Sequence, residues 1–325
     1  MRLLKPDYFL PENSILRSLS RIKYFDRIKW VRSKDVKVKG IVNQLRKNGY
    51  VILPEFIKGE RLEQLRRAHS YALEQNLDFE EPCLAQNKID SQIHKDLIDN
   101  KFKVSNEELS KRSLTFRSSD VSSYQEIVEK FKPSTLKTYI PQEKMFFDIW
   151  LDPFVTEVVE NYMGLTPYLF EAYLRRNFPA NHKVMNHYWH KDTNNKYLLL
   201  KMFVFLSDCT IENGPHEYIK GSIYDRSFNG QTYYSDAEVD AKYPQGCPER
   251  IQSIVKAGTI ILEDTRGLHR AMIPEKGYRD LGYAVFAPKA FYSRMGKRHY
   301  GINNDLFSSL TKNQQKFIPE EFVVE

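Results

Sequence analysis

From Tyr168 to about Phe291 the chain reads as short apolar strands separated by Gly, Pro, Asn and Asp, with no regular alternation of strand and helix. Strands are predicted over 168–174, 197–206, 251–255, 259–262 and 281–287. Short strands joined by turns predict a mainly β fold with flanking helices, of the sandwich or jelly-roll kind. The 20 Tyr and 20 Phe suit such an interior, because aromatic side chains pack well on a pleated surface. No internal repeat stands out.

The region before the strands reads differently. Residues 41–49 form a predicted short helix stopped by Gly49, feeding a strand at 50–54. Residues 60–75 form a second helix with Leu62, Leu65, Ala68 and Ala72 on one face. Helical segments follow over 146–163, broken at Pro153 and ending at Gly164. Between them, 77–135 is polar and Ser-rich with poor periodicity, as in an insertion or a lid. The chain therefore divides into a basic N-terminal extension (1–39), a main domain (40–295) and a C-terminal tail (296–325). The extension interleaves Arg17, Arg21, Arg27 and Lys29 with Leu16, Leu19, Ile22 and Trp30, and it is expected to pack along the main domain.

No apolar run reaches 18 residues, so no membrane span is expected, and the first residues lack the apolar core of a secretory signal. Cys83, Cys209 and Cys247 are odd in number and lack Cys-x-x-Cys spacing. That pattern argues against a disulfide framework and a structural zinc site, and it fits a reducing cytoplasm. The net charge of +7 suits either an acidic ligand or a solvated basic surface. Zinc-finger spacing, helix-turn-helix and RNA-binding signatures are missing, so nucleic acid is not an expected partner.

Chemistry is carried by His190-Lys191-Asp192, followed by His269 and then by Arg279 within Gly277-Tyr278-Arg279. Residues two apart on a strand share a face, so His190 and Asp192 can grip one metal while His269 closes a third side. Two imidazoles and one carboxylate make a facial triad that leaves positions open on ferrous iron for a co-substrate and oxygen. The tripeptide alone is weak. With 8 His and 42 acidic residues in 325, a His followed two places later by an acid is expected about once by chance. His94-Lys95-Asp96 is that decoy, in a stretch without strand alternation. His190 with Asp192 can also be read as a structural pair, His269 as a core histidine and Arg279 as a surface ion-pair residue.

Context separates the copies. Asn213-Gly214-Pro215 and Gly221-Ser222 follow the apolar 203–206 segment, and 257–264 (Ala-Gly-Thr-Ile-Ile-Leu-Glu-Asp) leads into Leu268-His269-Arg270. Together with the Asn48-Gly49-Tyr50 entry segment, this order resembles the phytanoyl-CoA dioxygenase family of iron(II)/2-oxoglutarate oxygenases over roughly residues 40–290. The resemblance implies a double-stranded β-helix, a cupin-like jelly roll holding iron at one mouth. It implies His190, Asp192 and His269 as metal ligands and Arg279 as the residue binding the distal carboxylate of 2-oxoglutarate, a task suited to a forked guanidinium. Phe203, Tyr173 and Asn177 fall at positions that contribute to the co-substrate pocket in that family. Two departures stand out. Ala271 replaces a hydroxyl residue that assists the arginine in relatives, and His216 stands where relatives are apolar.

The presence of Asp192 favours hydroxylation, desaturation or cyclisation over halogenation, since related halogenases lack this carboxylate. The expected enzyme is a 2-oxoglutarate-dependent hydroxylase of a small molecule, using Fe(II) and O2. Substrate contacts are expected from Tyr188, Trp189, Lys191, Arg270 and the 77–135 segment. Two other readings remain at this point: a zinc hydrolase built on His187, His190 and Asp192, in which the metal activates water, and a non-catalytic jelly-roll binding protein.

Overall fold

The computed structural model describes residues 33–99, 106–183, 185–192, 198–229, 232–288 and 300–325. Most of the basic extension (1–32) therefore lies outside the described residues, as do Tyr197 and the start of the segment set apart as a tail.

Helix α1 (Val36–Asn48) starts five residues before its predicted start because the Asp35 carboxylate accepts the backbone N–H groups of Lys37 and Val38. It ends at Gly49, whose φ of 74° is the left-handed cap that the sequence announced. Helix α2 (Gly59–Ser70) buries Leu62 and Leu65 and runs into a single π turn at Tyr71–Gln75. Helices α3 (Lys144–Trp150) and α4 (Pro153–Met163) are divided at Pro153, with Asp152 capping the second, and Gly164 closes it.

Eleven strands build two sheets among the described residues: β1 (Tyr50–Leu53), β2 (Thr135–Thr138), β3 (Tyr168–Asn177), β4 (Trp189–His190), β5 (Leu200–Phe205), β6 (His216–Ile219), β7 (Tyr233–Tyr234), β8 (Arg250–Gln252), β9 (Ile260–Asp264), β10 (His269–Ala271) and β11 (Arg279–Ala287). The first sheet has the order β1-β9-β5-β11-β3-β2 and the second β8-β6-β10-β4-β7, antiparallel throughout. Followed along the chain, β3, β5, β9 and β11 lie in the first sheet while β4, β6, β8 and β10 lie in the second. The backbone thus winds back and forth between two facing sheets, which is the double-stranded β-helix or jelly roll.

The central strands of the larger sheet, β5, β9 and β11, are buried on both faces. Residues of β5, β9 and β11 join Val38, Leu45, Phe146, Trp150, Val155 and Val159 of the helices in one core. Full burial explains why these strands read as continuous apolar runs. Residues 300–325, set apart in the sequence as a tail, put Tyr300, Ile302, Leu306, Leu310, Phe317, Ile318 and Phe322 into the same core. The Ser-rich 77–135 stretch is not bare loop either. It carries its own cluster of Phe79, Cys83, Ala85, Phe116, Ile127 and Phe131.

One glycine locks the entry to β9. Gly258 has φ +83°, its N–H donates to Phe205 O (2.7 Å) and its carbonyl accepts from Ile57 N (2.9 Å). A Cβ there would lie 1.9 Å from Ile57 O. Gly258→Ala is therefore expected to cost about 2–4 kcal/mol. Urea-unfolding midpoints check this, and a variant within about 0.5 kcal/mol of wild type would contradict the fit described.

Candidate functional site

His190 ends β4 and His269 begins β10, and the two are directly paired across the antiparallel ladder. Their ring centroids lie 4.1 Å apart. Both rings are aimed in the same way: His190 Nδ1 donates to Tyr188 O (2.8 Å) and His269 Nδ1 to Gly267 O (2.9 Å). A carbonyl can only accept, so the proton sits on Nδ1 and each Nε2 presents a free lone pair. Asp192 lies just beyond β4 in a bend rather than on the strand, a correction to the sequence expectation. Its backbone N–H donates to Thr265 O (3.1 Å), and the bend brings Oδ1 within 3.8 Å of His190 Nε2 and Oδ2 within 3.8 Å of His269 Nε2. The three ligand atoms all lie within 4.8 Å of one another.

The protonation states suit a divalent cation. Burial pushes His190 down to about 4 and, with His190 beside it, His269 down to about 3, so both are neutral at pH 7. Burial works against ionisation of Asp192, yet Lys201 and the two imidazoles outweigh it and hold the carboxyl below the usual range. Lys201 Nζ, from β5 on the facing sheet, is 2.6 Å from Asp192 Oδ2. Two neutral imidazoles and one carboxylate are the donor set a metal requires without prior proton loss.

These groups line a cavity of about 670 Å³ between the sheets. Tyr173 and Arg175 enter from β3, Tyr283 from β11, Lys201 and Phe203 from β5, and Lys137 from β2. His216 and Ala271 lie on the metal side, and Glu80–Leu84 of the insertion form part of the rim. Beneath His269 and His216, Glu263 is fully buried, with Oε2 2.7 Å from His216 Nε2 and Oε1 3.8 Å from His269 Nδ1. Burial pushes its carboxyl up to about 8.

Arg279 opens β11 opposite Asn177. It is fully buried, and Nε, Nη1 and Nη2 find no hydrogen-bond partner among the described residues. Burial lowers it only to about 10, so it remains a cation at pH 7. An uncompensated guanidinium in the interior costs several kcal/mol, roughly, unless an anion joins it. A carboxylate is the group whose two oxygens match that fork.

Of the other sequence-predicted residues, Phe203 and Tyr173 line the cavity. Asn177 shares the face of Tyr173, but its amide donates to Thr135 Oγ1 (2.7 Å) and it does not line the cavity. Trp189, Lys191 and Arg270 are turned away, contrary to expectation. Trp189 is buried between Arg250 and Arg270, 5.0 and 4.6 Å from its ring. Lys191 Nζ reaches Ser222 O and Asp225 O, and Arg270 pairs with Glu217 and Asp236. Strand neighbours of an inward ligand point outward, and sequence adjacency misleads for that reason. Tyr188 packs with Ile89, Leu109 and Leu114 and does not line the cavity. His187 is buried outside the ligand group, so the His187-based zinc cluster is not assembled. The decoy lies on the helix over Ser91–Asp99, with His94 stacked on His182 (4.6 Å) and Asp96 bound to Arg112.

Lys201, Glu263, Arg175, Lys137 and Tyr283 were missed. Lys201 and Glu263 left a trace, as charged residues inside apolar strand runs, a placement that demands a partner.

No family model matches the chain, and no curated protein matches it in sequence. Similar solved structures include EctD from S. alaskensis with bound Fe, at 16% identity over 81% of this chain and 81% of that one, with a TM-score of 0.50. The likeness is one of fold. Further ones are the non-heme alpha ketoglutarate dependent carbocyclase SnoK from nogalamycin biosynthesis (15% identity, 77% and 83% covered, TM-score 0.48) and HygX from Streptomyces hygroscopicus with nickel, 2-oxoglutarate and hygromycin B bound (14%, 78% and 87%, TM-score 0.45).

Proposed function

We infer that this chain is an iron(II)- and 2-oxoglutarate-dependent oxygenase of the phytanoyl-CoA dioxygenase type, hydroxylating a C–H bond of a small molecule. The observation that carries this reading is the convergence of His190, Asp192 and His269 on one cavity, with both imidazoles neutral and the carboxylate ionised. A jelly roll like that of EctD, which has been crystallised with Fe, is in keeping with it. Arg279 supports it independently, as a buried guanidinium whose three nitrogens have no partner among the described residues.

In this reading His190, Asp192 and His269 hold iron on three sides and leave the cavity side open. Iron with 2-oxoglutarate and O2 supplies the oxidation, releasing succinate and carbon dioxide. Lys201, paired with Asp192 Oδ2, would hold that carboxylate in place beside the metal, while Arg279 would receive the distal carboxylate of the keto acid. Ala271 supplies no hydroxyl there, so Asn177, opposite Arg279 on the neighbouring strand, is our candidate for a polar helper. Phe203 and Tyr283 wall the cavity against water. We take the domain to include α1 and 300–325, whose side chains share its core, with 77–135 an insertion that helps rim the cavity. The three unpaired thiols are in keeping with the cytoplasm, and no described helix is long and apolar enough to cross a membrane.

Anaerobic addition of Fe(II) and then 2-oxoglutarate is expected to produce the weak visible charge-transfer band of the metal-bound keto acid. Folded, iron-loaded protein that stays colourless would overturn the assignment.

A further inference from the structure

Three cations line the cavity, and one of them, Arg175, has no carboxylate paired with it among the described residues. Tyr173 and Tyr283 stack at 4.4 Å in the middle of the larger sheet. Three cations gather around them: Lys137 Nζ lies 4.7 Å from the Tyr173 ring, Lys201 Nζ 5.3 Å from the Tyr283 ring, and the Arg175 guanidinium 5.7 Å from the Tyr283 ring. Lys137 is directly opposite Arg175 across the β2–β3 ladder. All three line the cavity.

Their partners are unequal. Lys137 has Glu80 at 3.7 Å on the rim, with both side chains well exposed. Lys201 has Asp192, whose charge is committed to the metal once one is bound. Arg175 is only 7% exposed, its Nε has no hydrogen-bond partner, and no carboxylate of the described residues pairs with it. Arg175 stands two residues along β3 from Asn177, the partner of Arg279, which is roughly 6–7 Å of strand. One small keto acid anchored on Arg279 and the metal therefore leaves Arg175 unanswered.

We propose that Arg175, with Lys137 and Lys201 around the Tyr173–Tyr283 stack, forms a subsite for an oxyanion group, carboxylate or phosphate, of the molecule to be oxidised. The subsite deepens the oxygenase reading and rests on it for the word substrate; the anion site itself stands on the side chains alone. A guanidinium flanked by two ammonium groups grips such an oxyanion through charge-assisted hydrogen bonds. The group would be held beside the metal at the distance set by the β3–β5 face, with the rest of the molecule toward the rim at Glu80–Leu84.

Calorimetric titration of the full chain with phenyl phosphate, benzoate and phenol tests this, first metal-free and then as the anaerobic Fe(II)–2-oxoglutarate complex. Phenyl phosphate or benzoate is expected to bind, whichever is tighter naming the oxyanion, and phenol is not. Arg175→Gln and Lys137→Gln are each expected to weaken that binding about tenfold or more, about 1.4 kcal/mol per tenfold, and Arg175→Lys to recover part of it. Arg175→Gln should keep the visible keto-acid band. Anion binding unaffected by both Gln variants, no anion binding at all, or loss of the band in folded Arg175→Gln would overturn the subsite. If wild type shows no band while Arg175-dependent anion binding persists, the oxygenase reading fails and the subsite stands.

Discussion

Replacing His190 or His269 by alanine is expected to lower affinity for ferrous iron by more than about 100-fold and to abolish substrate-free conversion of 2-oxoglutarate to succinate. Each ring is one of three donors grouped among the described residues, and each is already fixed by a carbonyl two residues earlier. Asp192→Asn should do the same while keeping the shape of the bend. Asp192→Ala is a poorer probe, because it strands the Lys201 ammonium, and breaking a buried pair from one side costs about 3–5 kcal/mol. Asp96→Ala should retain wild-type iron content and turnover, since Asp96 contacts Arg112 and Gln92. Iron content after dialysis, with succinate formation, separates these cases. Stoichiometric iron in folded His269→Ala, or equal loss in folded Asp96→Ala, would refute the choice of site.

The ligand group was legible because each piece sits in a local signal. Gly258 and its neighbours announce the strand leading to His269, and Asn213-Gly214-Pro215 marks the turn before β6. The fold class followed from strand length and turn spacing, which are local properties. What stayed hidden depends on pairing between distant strands. The direct opposition of His190 and His269, and the arrival of Lys201 at Asp192 from the facing sheet, arise only after the jelly roll closes. Trp189, Lys191 and Arg270 show the opposite effect: they adjoin the ligands in sequence, yet the pleat sends such neighbours outward, away from the cavity. The core role of 300–325 was also concealed. Its apolar residues are spaced irregularly over short helical turns and a two-residue strand pair, so they show neither a period of two nor of 3.6.

Arg279→Gln is expected to raise the 2-oxoglutarate concentration for half-saturation by about 100-fold or more, with iron affinity unchanged. Two parallel charge-assisted hydrogen bonds, at roughly 1.5–3 kcal/mol each, set that scale. Arg279→Lys should recover only part, since a point charge cannot reproduce the fork. The same position makes a second, opposite prediction without any ligand. In the keto-acid-free protein the guanidinium is buried with all three nitrogens unpartnered, so it is a net cost to the fold. Arg279→Met, similar in length and apolar, should therefore stabilise ligand-free protein by roughly 1–3 kcal/mol while destroying keto-acid binding. A residue retained for packing would lose stability on replacement, and a surface ion-pair residue would change little. Only a charge held in readiness for an anion gains stability as it loses binding. Thermal unfolding of ligand-free Arg279→Met beside wild type, together with 2-oxoglutarate titration of the anaerobic iron complexes, reads both effects. A lower melting temperature with unaltered keto-acid affinity would remove Arg279 from the site.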